Sequence, residues 1–207
     1  LPARSGMGSS SSFTVGLINA LYALNKKNIS SKELASQTIN FEQKIMGEAV
    51  GSQDQVASSF GGFNKIIFNK NKSIKIKKIK KNYNTRILEN NLILIYTKIN
   101  RTAHKIASKY INQLTTTKKN YIEQILEHVE EGEKIISNGN IDDFGKLLDS
   151  SWHLKKKLSK SITNNKIEEL YQNALKSGAI GGKLLGAGGG GFLLMYMKKQ
   201  YRDKFFK

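Results

Sequence analysis

Cysteine is absent from the 207 residues, and proline occurs once. Without a thiol the chain can form neither a disulfide nor a thiolate metal site, which suits the reducing interior of a cell. The sequence also lacks any apolar run near the ~20 residues that a membrane-spanning helix needs, and it shows no signal peptide. Its length is sufficient to bury a core in one large or two small domains. We therefore expect a soluble, cytoplasmic, globular protein.

Acidic residues are scarce, with 16 Asp and Glu against 34 Lys and Arg, and the formal net charge is +18. Such an excess is typical of proteins that bind nucleic acid or another anionic surface. Here the lysines are spread along every segment, and their abundance together with that of Asn and Ile fits AT-rich coding. We therefore expect no nucleic-acid partner. A basic nucleic-acid-binding protein, whose glycine loops are only turns, is the alternative from another class.

The first stretch, LPARSGMGSSSSF, is rich in glycine and serine and runs directly into an apolar helical pattern. Gly6 and Gly8 permit positive φ and a close approach of the backbone to a ligand. Ser9 to Ser12 place hydroxyls where the helix begins, and the free N–H groups and dipole of a helix start favour an anion. A plain capped turn fits the same residues. The stretch alone therefore leaves a phosphate cradle and a structural turn open.

Hydrophobic periodicity indicates an α+β fold over both the first part of the chain, residues 1–82, and the second part, residues 83–207. In the first part the pattern predicts a buried helix at 10–24, a helix from a capping box at Ser30 to Gly47, a short helix after Gly51, and strands at 63–69 and 73–80. In the second part it predicts a polar link at 83–91, a strand buried on both faces at 92–96, helices at 102–114, 118–137, 142–160 and 166–177, and a strand at 192–197.

Two acidic residues stand out in the first part. Glu42 is in line with the apolar stripe of Ala35, Ile39 and Met46, so its carboxylate should not face bulk water. A buried carboxylate must neutralise, pair or bind a metal, although a place at the solvent edge of the stripe also fits. Asp54 falls near the first turn of the next helix, where the helix dipole alone favours a carboxylate. Catalytic and structural interpretations of both residues stay open at this point.

A second glycine run, GAGGGG at residues 186–191, precedes a strand-like segment. It contains the letters of G-x-G-x-x-G, but a dinucleotide fingerprint needs a strand before it and a helix after it, and here the order is reversed. No Gly-Lys-Ser or Gly-Lys-Thr is present, which excludes a Walker phosphate loop.

The order of these features resembles that of the GHMP kinase superfamily. PARSGMGSSSS at residues 2–12 matches its ATP-binding motif, and KLLGAGGGGF at 183–192 matches its C-terminal motif. The segments SSSSFTVGL, GSQDQ and FGGFN resemble most the D-glycero-D-manno-heptose 7-phosphate kinases, while galactokinase-, fucokinase- and mevalonate-kinase-like members share the same skeleton. The resemblance implies a two-domain GHMP-kinase-like fold, with the remainder of the N-terminal, ATP-binding domain at residues 1–82 and the C-terminal domain at 83–207. The N-terminal part and the final strand would be lacking here, so we expect a fragment of a longer chain.

The resemblance also implies an ATP-dependent sugar kinase that phosphorylates the anomeric C1 hydroxyl of heptose 7-phosphate, for nucleotide-activated heptose synthesis. Its partners would be ATP, Mg²⁺ and a sugar phosphate. Asp54 matches the base or orienting residue for the attacking hydroxyl, and Ser10 and Glu42 match the Mg²⁺ ligands. Their presence argues against a catalytically inactive regulatory relative.

Two loops complete the site that the resemblance implies. The nucleotide phosphates would be bound by Arg4, Ser5, Gly6, Met7, Gly8, Ser9, Ser10, Ser11 and Ser12. The substrate side would be lined by Gly186, Ala187, Gly188, Gly189 and Gly190. The sequence leaves open whether the protein is a homo-oligomer and whether Arg4, Arg101 or Lys183 contacts the phosphate of the substrate.

Overall fold

The structure, a computed structural model, describes residues 6–48, 50–100, 106 and 110–206. Its described residues divide into two compact units, one containing residues 8–80 and the other residues 6–7 and 81–206. Each unit has its own helices and its own antiparallel sheet. None of the helices in these described ranges is both long enough and apolar enough to cross a bilayer.

The first unit consists of three helices and a β-hairpin. Its helices are α1 (Ser9–Leu24), α2 (Ser31–Asn40), which continues as a π-helix (Phe41–Ile45), and α3 (Gln53–Phe60). Its strands are β1 (Asn64–Phe68) and β2 (Ile74–Lys78), which pair antiparallel. The Ser30 half of the predicted capping box is confirmed, because the Ser30 hydroxyl accepts a hydrogen bond from the Glu33 N–H at 3.2 Å. The three helices and the two strands confirm the predicted order of elements.

The burial of α1 differs from the prediction that its apolar positions lie in the core. Four of its apolar side chains are exposed, namely Phe13, Leu17, Leu21 and Leu24. Its buried side chains are instead Ser11, Thr14 and Val15, and the helix contacts α2 and α3. Periodicity identifies the apolar face of a helix but not the face that meets its neighbours. In this unit the neighbours meet the serine-containing face.

The second unit surrounds a three-stranded sheet of order β3-β5-β4 with helices. Its elements are α4 (Tyr83–Asn91), β3 (Leu92–Tyr96), α5 (Lys119–Asn138), α6 (Asp142–Leu158), α7 (Asn165–Lys176), β4 (Ala179–Leu184), β5 (Phe192–Met197) and α8 (Lys199–Phe206). The predicted helices at 118–137, 142–160 and 166–177 and the strands at 92–96 and 192–197 are confirmed. Most of the predicted helix at 102–114 lies outside the described residues, and a single 3-10 turn (Ile111–Gln113) falls at its end.

Two predictions for this unit are wrong. Residues 83–91 form α4 rather than a polar link, because Asn82 and Thr85 cap each other's backbone N–H groups at 2.8 Å. The Asn82 amide also donates to the Ile136 carbonyl at 2.9 Å, which ties α4 to α5. The strand β3 is not buried on both faces, since it lies at an edge of the sheet and Leu94 is 44% exposed.

The core of the second unit lies between the sheet and helices α6 and α7. Its largest fully buried side chains are Trp152, Tyr171, Tyr196, Ile162, Ile167, Leu184, Leu193, Met195 and Met197. The strand β4 escaped prediction because it contains two glycines. A Cβ at Gly181 would lie 2.2 Å from the Gly145 carbonyl oxygen of α6, so the helix can reach the strand only where both residues lack a side chain.

We predict that Gly181→Ala destabilises the second unit by about 2 kcal/mol, because the added methyl group meets backbone atoms that cannot rotate away. Gly132→Ala in α5 is the matched control. Its Cβ would meet only the ends of two side chains, Leu147 at 3.3 Å and Phe144 at 3.5 Å, and the gain in helix propensity offsets these contacts to within about 1 kcal/mol. Urea unfolding followed by fluorescence of Trp152, the sole tryptophan, measures both variants. Equal unfolding free energies for the two would contradict the close approach of α6 and β4.

Candidate active site

The glycine turn before α1 leaves the first N–H groups of the helix unused by the helix itself. Gly8 occupies the N-cap position with φ 67° and ψ 19°, and Gly6 has φ 80°. The N–H of Ser12 makes the first intrahelical bond, to the Gly8 carbonyl at 2.9 Å. The N–H groups before it have no acceptor within the helix, and the N-cap residue, Gly8, has no side chain that could cap them. This helix start is therefore suited to an anion. Arg4 and Ser5, predicted to join this loop, lie outside the described residues.

Glu42 is buried in the first unit, with 1% of its surface exposed. Its Oε2 atom accepts hydrogen bonds from the Ser11 hydroxyl at 2.9 Å and from the side-chain amide of Gln55. Its Oε1 atom is buried and has no hydrogen-bond partner among the described residues. The prediction that this carboxylate does not face bulk water is confirmed.

The π-helical turn after α2 determines where Glu42 and its neighbour point. The Met46 N–H bonds to the Phe41 carbonyl, five residues back, at 2.9 Å. This wider turn changes the helical phase, so Met46 is 52% exposed and its predicted place in the apolar stripe is wrong. Gln43 donates to the Val50 carbonyl at 3.0 Å and to the Ser52 hydroxyl at 3.2 Å. The turn therefore directs Glu42 inward and fastens the loop that leads to α3.

Asp54 lies in the first turn of α3 and beside the glycine turn. A Cβ built on Gly8 would be 3.2 Å from Asp54 Cγ and 3.4 Å from its Oδ2 atom. The side chain of Asp54 is itself exposed. Glycine is thus needed at position 8 for two reasons. The backbone there has a positive φ, and a side chain would meet that of Asp54. The structure brings a predicted catalytic residue against a predicted phosphate-binding residue.

In the structure the Ser11 hydroxyl contacts Glu42, whereas the resemblance implies that Ser10 and Glu42 bind one Mg²⁺ ion together. Ser11 is 6% exposed, and Ser10 is exposed to solvent. Consecutive residues of an α-helix differ by about 100° in direction, so only one of these two serines can face α2. Ser12 points elsewhere again, and its hydroxyl lies 2.9 Å from that of Ser58. The metal role of Ser10 stays a prediction, and the direct contact with Glu42 belongs to Ser11.

Sequence reasoning did not identify Ser11 or Gln55 as partners of Glu42. Gln55 is 1% exposed, and its Oε1 atom, like that of Glu42, is buried without a partner among the described residues. The sequence signal was weak, since glutamine next to Asp54 at the start of a helix is an ordinary surface residue. Only the packing of α3 against α2 reveals its place.

The second glycine run lies in the second unit and is held by that unit's own backbone. A Cβ at Gly188 would be 2.9 Å from Ile162 Cα, and one at Gly190 would be 2.5 Å from the Ile99 carbonyl oxygen. Lys155 donates to the carbonyl of Gly186 at 2.6 Å. Close packing within the unit explains the absence of side chains at Gly188 and Gly190. Substrate contact by residues 186–190 stays a prediction.

Lys183 precedes this run, on strand β4. Burial lowers the pKa of its ammonium below the usual range. Arg101, the other basic residue raised for the second part of the chain, lies outside the described residues.

The residues around Glu42 fit a magnesium ion better than a metal held entirely by protein. Within the described residues, no group of three or more His, Cys, Asp or Glu side chains could hold a metal. Magnesium usually takes only one or two carboxylates and completes its shell with water and phosphate oxygens. The free Oε1 atom of Glu42 and an exposed hydroxyl at Ser10 offer oxygen donors of this kind.

Comparison with known proteins gives a consistent result for both units. Residues 1–62 match the profile of the GHMP kinases N-terminal domain, and residues 125–206 match that of the GHMP kinases C-terminal domain. The chain is 30% identical over 199 residues to the D-glycero-alpha-D-manno-heptose 7-phosphate kinase of Campylobacter jejuni, covering 95% of this chain and 59% of that protein. It is 27% identical over 211 residues to the mevalonate kinase of Methanocaldococcus jannaschii, covering 100% of this chain and 62% of that protein.

A solved structure shares the fold. The D-glycero-D-manno-heptose 1-phosphate kinase from Bacteroides thetaiotaomicron aligns with a TM-score of 0.73 and 24% identity, over 99% of this chain and 57% of that chain. This chain spans less than two thirds of the length of each of these relatives.

We predict that Ser11→Ala destabilises the first unit by about 1–3 kcal/mol, because the change removes a donor from a buried carboxylate. Ser12→Ala is the matched control, since it deletes the neighbouring hydroxyl at an exposed position and should change stability by no more than about 0.5 kcal/mol. Chemical denaturation followed by far-UV circular dichroism measures both. If Ser11→Ala is as stable as Ser12→Ala, the Ser11 hydroxyl does not support Glu42.

Proposed function

Because this chain belongs to the GHMP kinase family, we propose that the protein transfers the γ-phosphoryl group of ATP to a hydroxyl group of a sugar phosphate. One observation carries the proposal. The glycine turn at Gly8, the carboxylate of Asp54 beside it, and the buried Glu42 held by Ser11 meet within the first unit. Phosphoryl transfer requires mainly that the reactants be positioned and that charge be stabilised, and these groups supply both.

The start of α1 binds the phosphates of the nucleotide in this proposal. The backbone from Gly8 to Ser11 offers N–H groups that the helix does not use, and the positive end of the helix dipole adds to their attraction. The residues at 4–12 form the nucleotide loop as the sequence predicts. Because Gly8 has no side chain, both the anion and the carboxylate of Asp54 can lie close to the backbone of the turn.

Magnesium is the metal that the family implies, and Glu42 with Ser10 would hold it. Glu42 presents one free carboxylate oxygen, and Ser10 presents an exposed hydroxyl. When bound, Mg²⁺ would neutralise the charge that develops on the phosphate oxygens. Glu42 keeps its direction because Ser11 and Gln55 occupy its other oxygen.

Asp54 orients the acceptor hydroxyl and takes its proton. The oxygen of that hydroxyl forms a bond to the γ-phosphorus while the bond from this phosphorus to the bridging oxygen of ADP breaks. The proton released from the hydroxyl passes to the carboxylate of Asp54. A base placed within hydrogen-bond reach contributes of the order of 10²–10⁴ to the rate.

The proposed acceptor is the anomeric C1 hydroxyl of D-glycero-D-manno-heptose 7-phosphate. The proposal is supported by the Campylobacter jejuni relative and by the segments GSQDQ and FGGFN. The 7-phosphate lies far from C1, so its binding energy can orient the reacting end of the sugar. Residues 186–190 would line the substrate side in this arrangement.

We predict that Asp54→Asn keeps the fold and Mg²⁺–ATP binding but lowers kcat at least about a hundredfold, because asparagine retains the shape of the side chain but not its acceptor charge. Asp143→Asn is the matched control, since Asp143 is also a first-turn carboxylate, on α6. A coupled ADP-release assay and calorimetry measure turnover and binding. Near-normal turnover of a folded Asp54→Asn protein would return Asp54 to a purely structural role.

The substrate assignment predicts a single product phosphate at C1 and a strong preference for heptose 7-phosphate over free heptose. ³¹P and ¹³C NMR of the product locate the new phosphate, and a panel with galactose, fucose and mevalonate tests the choice of acceptor. A phosphate at another position, or faster turnover of one of these other acceptors, would overturn the heptose assignment and leave the kinase assignment intact. Salt-dependent retention on polyanions without any nucleotide binding would favour a nucleic-acid-binding protein.

A further inference from the structure

Three buried side-chain oxygen atoms in the first unit lack a hydrogen-bond partner among the described residues; one belongs to Asn64 on β1, and the other two belong to side chains that touch each other. These two are Oε1 of Glu42 and Oε1 of Gln55, and each residue is 1% exposed. Buried acceptors in native proteins almost always have a donor, so each exception needs a specific cause such as an ion or a water molecule. Because the unpartnered oxygens of Glu42 and Gln55 belong to side chains in contact, one ion with its bound water could satisfy both.

The chemistry of the pair fixes the orientation of the Gln55 amide. An ionised carboxylate can only accept hydrogen bonds, so the amide nitrogen of Gln55 must face Glu42. The carbonyl oxygen of the same amide must then point away from that contact. The Gln55 side chain therefore donates a hydrogen bond to Oε2 of Glu42 and leaves its own Oε1 atom available as an acceptor.

Helix α3 holds Gln55 firmly. Its neighbour Val56 is 0% exposed, and the Ser59 hydroxyl bonds to the Gln55 carbonyl of the main chain at 2.8 Å. The preceding residue, Asp54, lies beside Gly8. A movement of the Gln55 side chain would thus disturb Glu42, while a movement of α3 would displace Asp54 and Gln55 together.

We propose that Gln55 is a positioning residue for the metal-bound nucleotide. Its amide group holds Glu42 by Oε2 and so directs Oε1 at the cation, and its own Oε1 accepts a hydrogen bond from a water molecule that Mg²⁺ retains. Magnesium gives up its water reluctantly, so acceptors for metal-bound water are a regular part of its sites. This inference rests on the proposed function and assigns a role to a residue that contacts neither phosphate nor sugar.

The first test replaces Gln55 by methionine, which has a similar length but neither the donor nor the acceptor. ATP binding to the full chain is titrated by calorimetry at a series of Mg²⁺ concentrations. We expect the Mg²⁺ concentration for half-maximal binding to rise about 10-fold or more, as it does when a partner of a metal ligand is lost. Binding of ATP in EDTA should not change. Gln53→Met, at an exposed position of the same helix, should match the wild type throughout.

The second test replaces Gln55 by glutamate and needs no catalysis. Two carboxylates then touch in a buried place, so the melting temperature in EDTA should fall below that of the wild type. Added Mg²⁺ should raise the melting temperature of Gln55→Glu by more than it raises that of the wild type. A merely structural Gln55 predicts the same increment in both. Gln53→Glu is the control for an added charge.

The outcomes separate this inference from the proposed function. Glu42→Ala should abolish the Mg²⁺ dependence of nucleotide binding that Gln55→Met only weakens. A wild-type chain that does not bind Mg²⁺–ATP overturns the proposed function and the inference together. If the wild type binds Mg²⁺–ATP and both Gln55 variants keep its Mg²⁺ dependence and its Mg²⁺-induced stabilisation, then Gln55 has no positioning role and the kinase assignment stands.

Discussion

A carboxylate buried among three short helices constrains the whole first unit. Removing such a group from water is costly unless hydrogen bonds replace the lost hydration. Ser11 of α1 and Gln55 of α3 supply these bonds to Glu42, which follows α2. Three helices must therefore keep one arrangement in order to satisfy a single side chain.

The interior of the first unit has as much polar as apolar character. Its buried polar residues are Ser11, Thr14, Thr38, Glu42 and Gln55, and its buried apolar residues are Val15, Leu34, Ala35 and Val56. Proteins depart from apolar packing in this way mainly at functional sites.

Glycine has different uses in the two units. In the first, Gly8 gives the turn its positive φ and leaves room for the side chain of Asp54. In the second, Gly181 and Gly190 leave room for backbone atoms of the same unit, at 2.2 Å and 2.5 Å from where a Cβ would lie. A glycine run is therefore not by itself a sign of a ligand. What distinguishes the first run is the pair of carboxylates that the fold places around it.

Elements with strong local signals could be predicted from the sequence. The serine cap of α2, the β-hairpin and the apolar strand β5 all follow from patterns a few residues long. Predictions that needed neighbours were less successful. The helix α4 was missed because its polar sequence is stabilised by the Asn82 cap and by a bond to α5. The exposed apolar face of α1 could not be foreseen, since periodicity does not say which face is covered.

At the site, the burial of Glu42 was predictable from its position in the apolar stripe of its helix. The contact of Gln55 with Glu42 was not predictable, because the two residues lie 13 positions apart and only tertiary packing brings them together.

The helical repeat explains how one small unit can both support a buried carboxylate and serve a ligand. On α1, Ser11 points inward to Glu42, and Ser10 points to solvent. On α3, Gln55 points inward to Glu42, and Asp54 points outward beside Gly8. Neighbouring residues differ by about 100° around a helix, so each helix can bury one residue against Glu42 and expose the next one along the chain. The predicted roles of Ser10 and Asp54 require exposed side chains, and the structure leaves these two exposed. The pairing of Ser11 with Glu42 is thus compatible with a metal role for Ser10, because the two serines point in different directions from the helix start.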